Sequence, residues 1–185
     1  MKKIMMSMIL GFLIGINNLS GSPLPFRPVQ ETVIKKIKTK TNKLITISLI
    51  TGSGASANTI KISTKGFLKD VPVLIKDADP FKKVLVGDLD KNGFDEIYII
   101  TQSAGSGSDE TVYGYTSLKD QQLGKISIPK LTEKGYMGHD DFSLSGTVLK
   151  RSYPVYKEKE ASCCPSGGSK TLTYTLKNTQ LMLSK

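Results

Sequence analysis

The pattern that most restricts what this chain can fold into is an apolar alternation with a period of two. Thr171-Leu172-Thr173-Tyr174-Thr175-Leu176 alternates strictly between polar and apolar residues. Successive side chains of a strand point to opposite faces, so the segment reads as a strand with one buried face. Ile60-Lys61-Ile62-Ser63 and Lys125-Ile126-Ser127-Ile128 follow the same rule. Val84-Leu85-Val86 and Ile97-Tyr98-Ile99-Ile100 are short β-branched runs, as expected of central strands covered on both sides. Residues 44–50, 71–75, 112–115, 142–144, 147–151 and 180–183 complete the set.

Turn chemistry separates these runs at 52–58, 91–93, 103–108, 135–138 and 165–168, where Gly, Ser, Asn and Pro cluster. Pro72, Pro129 and Pro154 lack a backbone donor and belong at edges, bulges or strand ends. No stretch after residue 22 carries a 3.6-residue apolar stripe. The expected architecture is therefore all-β, an antiparallel sandwich or barrel. No internal repeat or linker divides the chain.

Export is expected from the first residues. Lys2 and Lys3 precede an uncharged, largely apolar run from Ile4 to Ile16, and small and polar residues, Asn17 to Ser22, follow. That is the layout of a secretory signal peptide. Thirteen residues are too few to span a bilayer comfortably. No cysteine stands near the cut to carry a lipid, so cleavage near Ser20–Ser22 is expected to leave a soluble chain with no membrane span. The remaining length suits one domain, and folding at that size buries about 70% of the unfolded surface.

Charge is unevenly distributed. Net charge is +10, yet residues 77–110 hold eight acids against three lysines, while residues 23–76 hold ten Lys/Arg against two acids. An acidic middle in a basic protein can steer a basic partner. The lysines at 35, 36, 38, 40 and 43 come with no nucleic-acid-binding module, so a nucleic-acid partner is not expected.

Enzymatic chemistry finds little to build on, and no enzyme is expected. His139 is the sole histidine, which rules out a His-rich metal site, and nothing around it resembles a nucleophile elbow. The only cysteines, Cys163 and Cys164, are adjacent and imply a vicinal disulfide or an intermolecular link. The stretch Asp88-Leu89-Asp90-Lys91-Asn92-Gly93-Phe94-Asp95-Glu96 has two readings. Oxygen side chains at 88, 90, 92 and 96 around a tight bend suit a hard cation such as Ca²⁺. The same residues also suit a turn whose Asp side chains cap its own amides, the reading preferred here, with no metal or cofactor. Ser103-Ala104-Gly105-Ser106-Gly107-Ser108-Asp109-Glu110 follows one buried strand and precedes another, so its small residues form an exposed tip on a rigid base. Small side chains let backbone approach a partner closely, and serine hydroxyls donate to carboxylates.

Several blocks together resemble the PliI-like family, the periplasmic inhibitors of invertebrate-type (I-type) lysozyme. They are Asn58-Thr59-Ile60 with Gly66; Gly87 to Tyr98 running into Ser103 to Ser108; Gly135-Tyr136-Met137-Gly138-His139-Asp140 with Phe142; and Arg151 to Lys157 followed by Pro165-Ser166-Gly167-Gly168 and Leu172-Thr173-Tyr174. The resemblance spans roughly residues 45–177. It implies an antiparallel β-sandwich of about eight to ten strands, often a homodimer, that inserts a loop into the lysozyme cleft and protects the bacterial cell wall. On this basis residues 1–22 are expected to be the signal peptide, 23–44 an N-terminal extension or edge strand, and 45–185 the sandwich domain. The inhibitory loop then comprises Ser103, Gly105, Ser106, Gly107, Ser108 and Asp109. Tyr136, Met137, Gly138, His139 and Asp140 form either a second contact loop or a support packed beneath the first. Ser106 matches a serine of the family's loop. Asp109 stands where that loop carries a tyrosine, so a charge replaces an aromatic anchor and calls for a basic group on the cleft rim. The competing expectation is a secreted, calcium-bearing module that binds glycan or protein.

Overall fold

The computed structural model describes residues 29–51, 58–105 and 107–184. The expected signal peptide (1–22), the turn at 52–57 and Ser106 lie outside them. Among the described residues the chain is all-β, with no helix long and apolar enough to cross a membrane.

Among the described residues, twelve strands form three antiparallel sheets of four, each a run of neighbours in sequence. The first sheet is β1 (Gln30–Lys38), β2 (Leu44–Thr51), β3 (Asn58–Lys65) and β4 (Val73–Ala78). The second is β5 (Phe81–Gly87), β6 (Glu96–Gln102), β7 (Glu110–Ser117) and β8 (Leu123–Ile126). The third is β9 (Asp141–Ser145), β10 (Val148–Pro154), β11 (Ser169–Lys177) and β12 (Gln180–Leu183). The expectation of eight to ten strands undercounts them. Residues 30–38 form a full strand although only Ile37 of β1 is buried, so the alternation that signals a half-buried strand is missing there. The lysines of β1 and its register shift at Val33/Lys35 instead suit an exposed sheet edge.

The two β-branched runs part company. Ile97–Ile100 is buried on both faces and lies at the centre of its sheet, because β6 pairs with both β5 and β7. Val84–Val86 lies at the edge instead, with Val86 exposed. A three-residue apolar run does not encode how many neighbours a strand has. Residues 127 and 128, expected to extend β8, fall outside it; Ser127 makes a single parallel bridge to Gln180 that joins the second sheet to the third. Pro72 precedes β4, Pro129 follows β8 and Pro154 ends β10, where no ladder donor is required.

The alternation of β6 also assigns its neighbours. Ile97 and Ile99 join one apolar cluster with Ile45, Ile47, Ile60 and Ile62 of the first sheet. Tyr98 and Ile100 join the other, with Leu149, Tyr153, Leu172 and Tyr174 of the third. The second sheet therefore supplies side chains to both cores. Each fully buried isoleucine contributes about 2 kcal/mol over its exposed state, so β6 is the best-anchored strand. The loop that leaves its C-terminal end starts from a rigid base.

Candidate functional site

The β6–β7 connection, residues 103–109, is held closed at its neck. Ser103 N donates to Asp109 O at 2.9 Å, Asp109 N donates to Ser103 Oγ at 3.0 Å, and Gln102 Nε2 reaches Ser108 O at 3.3 Å. Ser108 adopts φ +44° and its amide donates back to Gly105 O at 2.9 Å. Ala104, Gly105 and Asp109 are exposed, while Ser103, Gly107 and Ser108 are half-buried. The hydroxyls of Ser103 and Ser108 thus turn onto the loop's own backbone; among the described loop residues the exposed ones are Ala104, Gly105 and Asp109, whose carboxylate lies against Gly107 and Gly138. Nothing in the sequence marked the Ser103 and Ser108 hydroxyls for this inward role.

The segment 135–140 lies against the first loop. His139 N donates to Gly107 O at 2.8 Å, and a Cβ on Gly138 would collide with that carbonyl and with the Asp109 carboxylate. Gly138 is buried and its φ of +89° favours glycine. Met137 is exposed at the tip. Behind it, Tyr136 and Asp140 turn inward to Arg151 of β10. Arg151 Nε donates to Asp140 Oδ2 at 2.9 Å; Nη2 donates to the same oxygen and, at 2.7 Å, to the Tyr136 hydroxyl, which donates in turn to Asp140 Oδ2 at 3.0 Å. The guanidinium lies 4.9 Å from the Tyr136 ring centre and 5.2 Å from that of Phe142, within cation–π range. Burial raises the Asp140 pKa despite the guanidinium, and burial together with the Asp140 charge raises that of Tyr136. Five residues read from the sequence as one loop therefore divide into an outward tip at Met137 and an inward anchor at Tyr136 and Asp140. Arg151 was not among the expected site residues. Its signal was readable, since Leu149, Arg151 and Tyr153 alternate on the buried face of β10 and a charge there demands a buried partner.

His139 stacks at 6.4 Å on Tyr156, and its Nε2 is buried with no hydrogen-bond partner among the described residues.

The acidic turn closes on itself. Asp88 accepts from Asn92 N at 3.0 Å, Gly93 N at 3.1 Å and Lys40 Nζ at 2.9 Å, and Asp90 accepts from Asn92 N at 3.2 Å. Lys40 N also donates to Asp95 at 2.7 Å, which fastens the β1–β2 turn to this segment. Glu96 is fully buried and accepts from Leu89 N at 2.7 Å and Thr116 Oγ1 at 3.2 Å. Burial, reinforced by Asp90 and Asp88, pushes its carboxyl up to about 7 against those two donors. Carboxylate oxygens of Asp88, Asp90 and Glu96 lie within 4.8 Å of one another, a spacing that could hold a cation. Amide capping of the turn thus occurs within the same cluster of carboxylates.

Cys163 and Cys164 are joined as a vicinal disulfide in an exposed loop between β10 and β11. Comparison of the chain with protein-family models, curated proteins and solved structures returned no match.

Proposed function

We propose that the mature chain is an exported, periplasmic inhibitor of lysozyme, I-type in preference, whose layered sheets serve as a β-sandwich framework for a plug rather than for catalysis. The observation that carries this reading is the neck-closed loop at 103–109, with Ala104, Gly105 and Asp109 exposed and a second loop packed along its side. A tip closed at its neck and braced along one side loses little conformational freedom on entering a groove, which favours tight insertion. The glycosidase cleft it enters is lined by paired carboxylates. Loop amides and the Ser106 hydroxyl are the donors assigned to those groups, and Asp109 is assigned to a basic group on the rim.

The experiment is lysis of a cell-wall suspension by invertebrate-, chicken- and goose-type lysozymes with and without the mature protein. Gly105→Glu supplies the control. Gly105 is exposed, and a Cβ there meets nothing closer than Ser103 Oγ at 4.0 Å, so the fold accommodates a side chain that the cleft does not.

A second reading, a calcium-bearing module that binds glycan or protein, draws on the convergence of Asp88, Asp90 and Glu96. Calorimetric titration with Ca²⁺ separates the two. Micromolar affinity that disappears in Asp90→Asn favours the module, and no heat of binding removes it.

A further inference from the structure

A groove of ≈ 620 Å³ opens beside the second loop, between residues 134–137 and 155–159. Its lining is apolar at Tyr136, Val155 and Tyr156, with the exposed Met137 at its edge. Three exposed lysines, Lys134, Lys157 and Lys159, stand on its rim. The one acid among them, Glu158, pairs with Lys134 at 3.1 Å, but both side chains are more than three-quarters exposed, at 89% and 80%. Such a pair is worth little and exchanges readily for another carboxylate. The rim therefore presents surplus positive charge over an apolar floor.

The walls are preformed. Tyr156 N donates to Gly135 O at 2.9 Å, and the Tyr156 hydroxyl donates to Ser162 O at 2.7 Å. The Glu160 carboxylate accepts from Lys157 N at 2.8 Å and Ser166 N at 3.1 Å, which fixes the loop that carries Lys157 and Lys159. The groove also begins where the first loop ends. Met137 forms its lip, and a Cβ on Gly107 would sit 3.4 Å from Met137 O. Whatever receives the tip at 103–109 brings its own surface over this groove.

We infer that the groove is a second docking surface, which takes an acidic segment of the partner enzyme with one apolar side chain on the Tyr136–Tyr156 floor and carboxylates against Lys134, Lys157 and Lys159. The inference rests on the inhibitor reading and adds to it a partner chemistry, acidic and apolar together, that the loop alone does not specify. A rim of like charges acts chiefly on the association rate and makes it salt-dependent, whereas the apolar contact acts on dissociation.

The test is surface-based kinetic binding of the mature protein to whichever lysozyme it inhibits, at low and at physiological salt. Lys134→Glu/Lys157→Glu/Lys159→Glu is expected to lower the association rate about tenfold at low salt and to remove its decline with added salt. Met137→Ala is expected to speed dissociation about fivefold. All four positions are exposed, so the thermal midpoint stays at the wild-type value, and circular dichroism checks this. If the triple variant associates as the wild type does while Gly105→Glu no longer inhibits, the groove proposal is overturned and the inhibitor reading stands. Should the wild-type protein bind and inhibit no lysozyme, both fall together.

Discussion

The amide of His139 donates to the carbonyl oxygen of Gly107 at 2.8 Å, joining two loops that are 32 residues apart in the chain. That bond makes the exposed tip a two-loop structure. Gly138 sits under it with its Cα against the Gly107 carbonyl, and Asp140 ties the second loop to Arg151 in the sheet.

Gly138→Ala is expected to separate the loops. The added methyl meets the Gly107 carbonyl and the Asp109 carboxylate, and the backbone must hold φ +89° with a side chain. The expected cost is about 2 kcal/mol by chemical denaturation, together with weaker inhibition. Gly105→Glu is expected to lose inhibition at unchanged stability, and this contrast separates bracing from contact.

Asp140→Ala leaves the Arg151 guanidinium buried without its carboxylate. Loss of one partner from a buried pair is expected to cost about 3–5 kcal/mol, and Asp140→Ala/Arg151→Met is expected to recover most of that. A double-mutant cycle from urea unfolding measures both. Equal destabilisation in the single and double variants would assign the loss to packing rather than to the stranded charge.

The strands and the anchor were not equally legible in the sequence. Period-two alternation sufficed for β11, where Leu172, Tyr174 and Leu176 face inward, and β-branching sufficed for β6. It failed for β1, whose side chains are mostly exposed, and for the edge position of β5, which depends on pairing partners that no local pattern records. The acidic turn was legible because its capping is local: Asp88 and Asp90 bond amides two to five residues away. The Tyr136–Asp140–Arg151 network spans a turn and a strand, and its only local trace is a charged residue on the buried face of β10. Composition marked residues 103–109 as a tip, but the inward rotation of Ser103 and Ser108 follows from neck bonds that composition does not show.

Glu96 predicts a pH dependence of stability. Its folded carboxyl holds a proton to about 7, against an ordinary value of 4.5. Between those values the folded chain binds more protons than the unfolded one, so this contribution is fully present below 4.5 and is lost as pH rises to about 7. The expected loss is roughly 3 kcal/mol. Asp88 acts in the opposite direction: although its partial burial opposes ionisation, the Lys40 ammonium and the Gly93 and Asn92 amides hold its pKa below 3.8, so its contribution disappears only in stronger acid. Urea unfolding of the wild type and Glu96→Gln at pH 4.5 and pH 7.5 isolates the first effect, because the variant lacks that decline.

Reduction of Cys163–Cys164 is expected to change stability by less than about 1 kcal/mol, because the bridge joins neighbours and constrains almost none of the unfolded chain. Thermal unfolding with and without dithiothreitol measures this. The protein is expected to run as a single chain on a non-reducing gel, since each thiol has its partner beside it.

The most direct measurement is turbidity clearance of a cell-wall suspension by I-type lysozyme with increasing mature protein. Saturable slowing at micromolar or lower concentration, abolished in Gly105→Glu, is the predicted result. Unslowed lysis by I-type, chicken-type and goose-type enzymes at tens of micromolar would contradict the account.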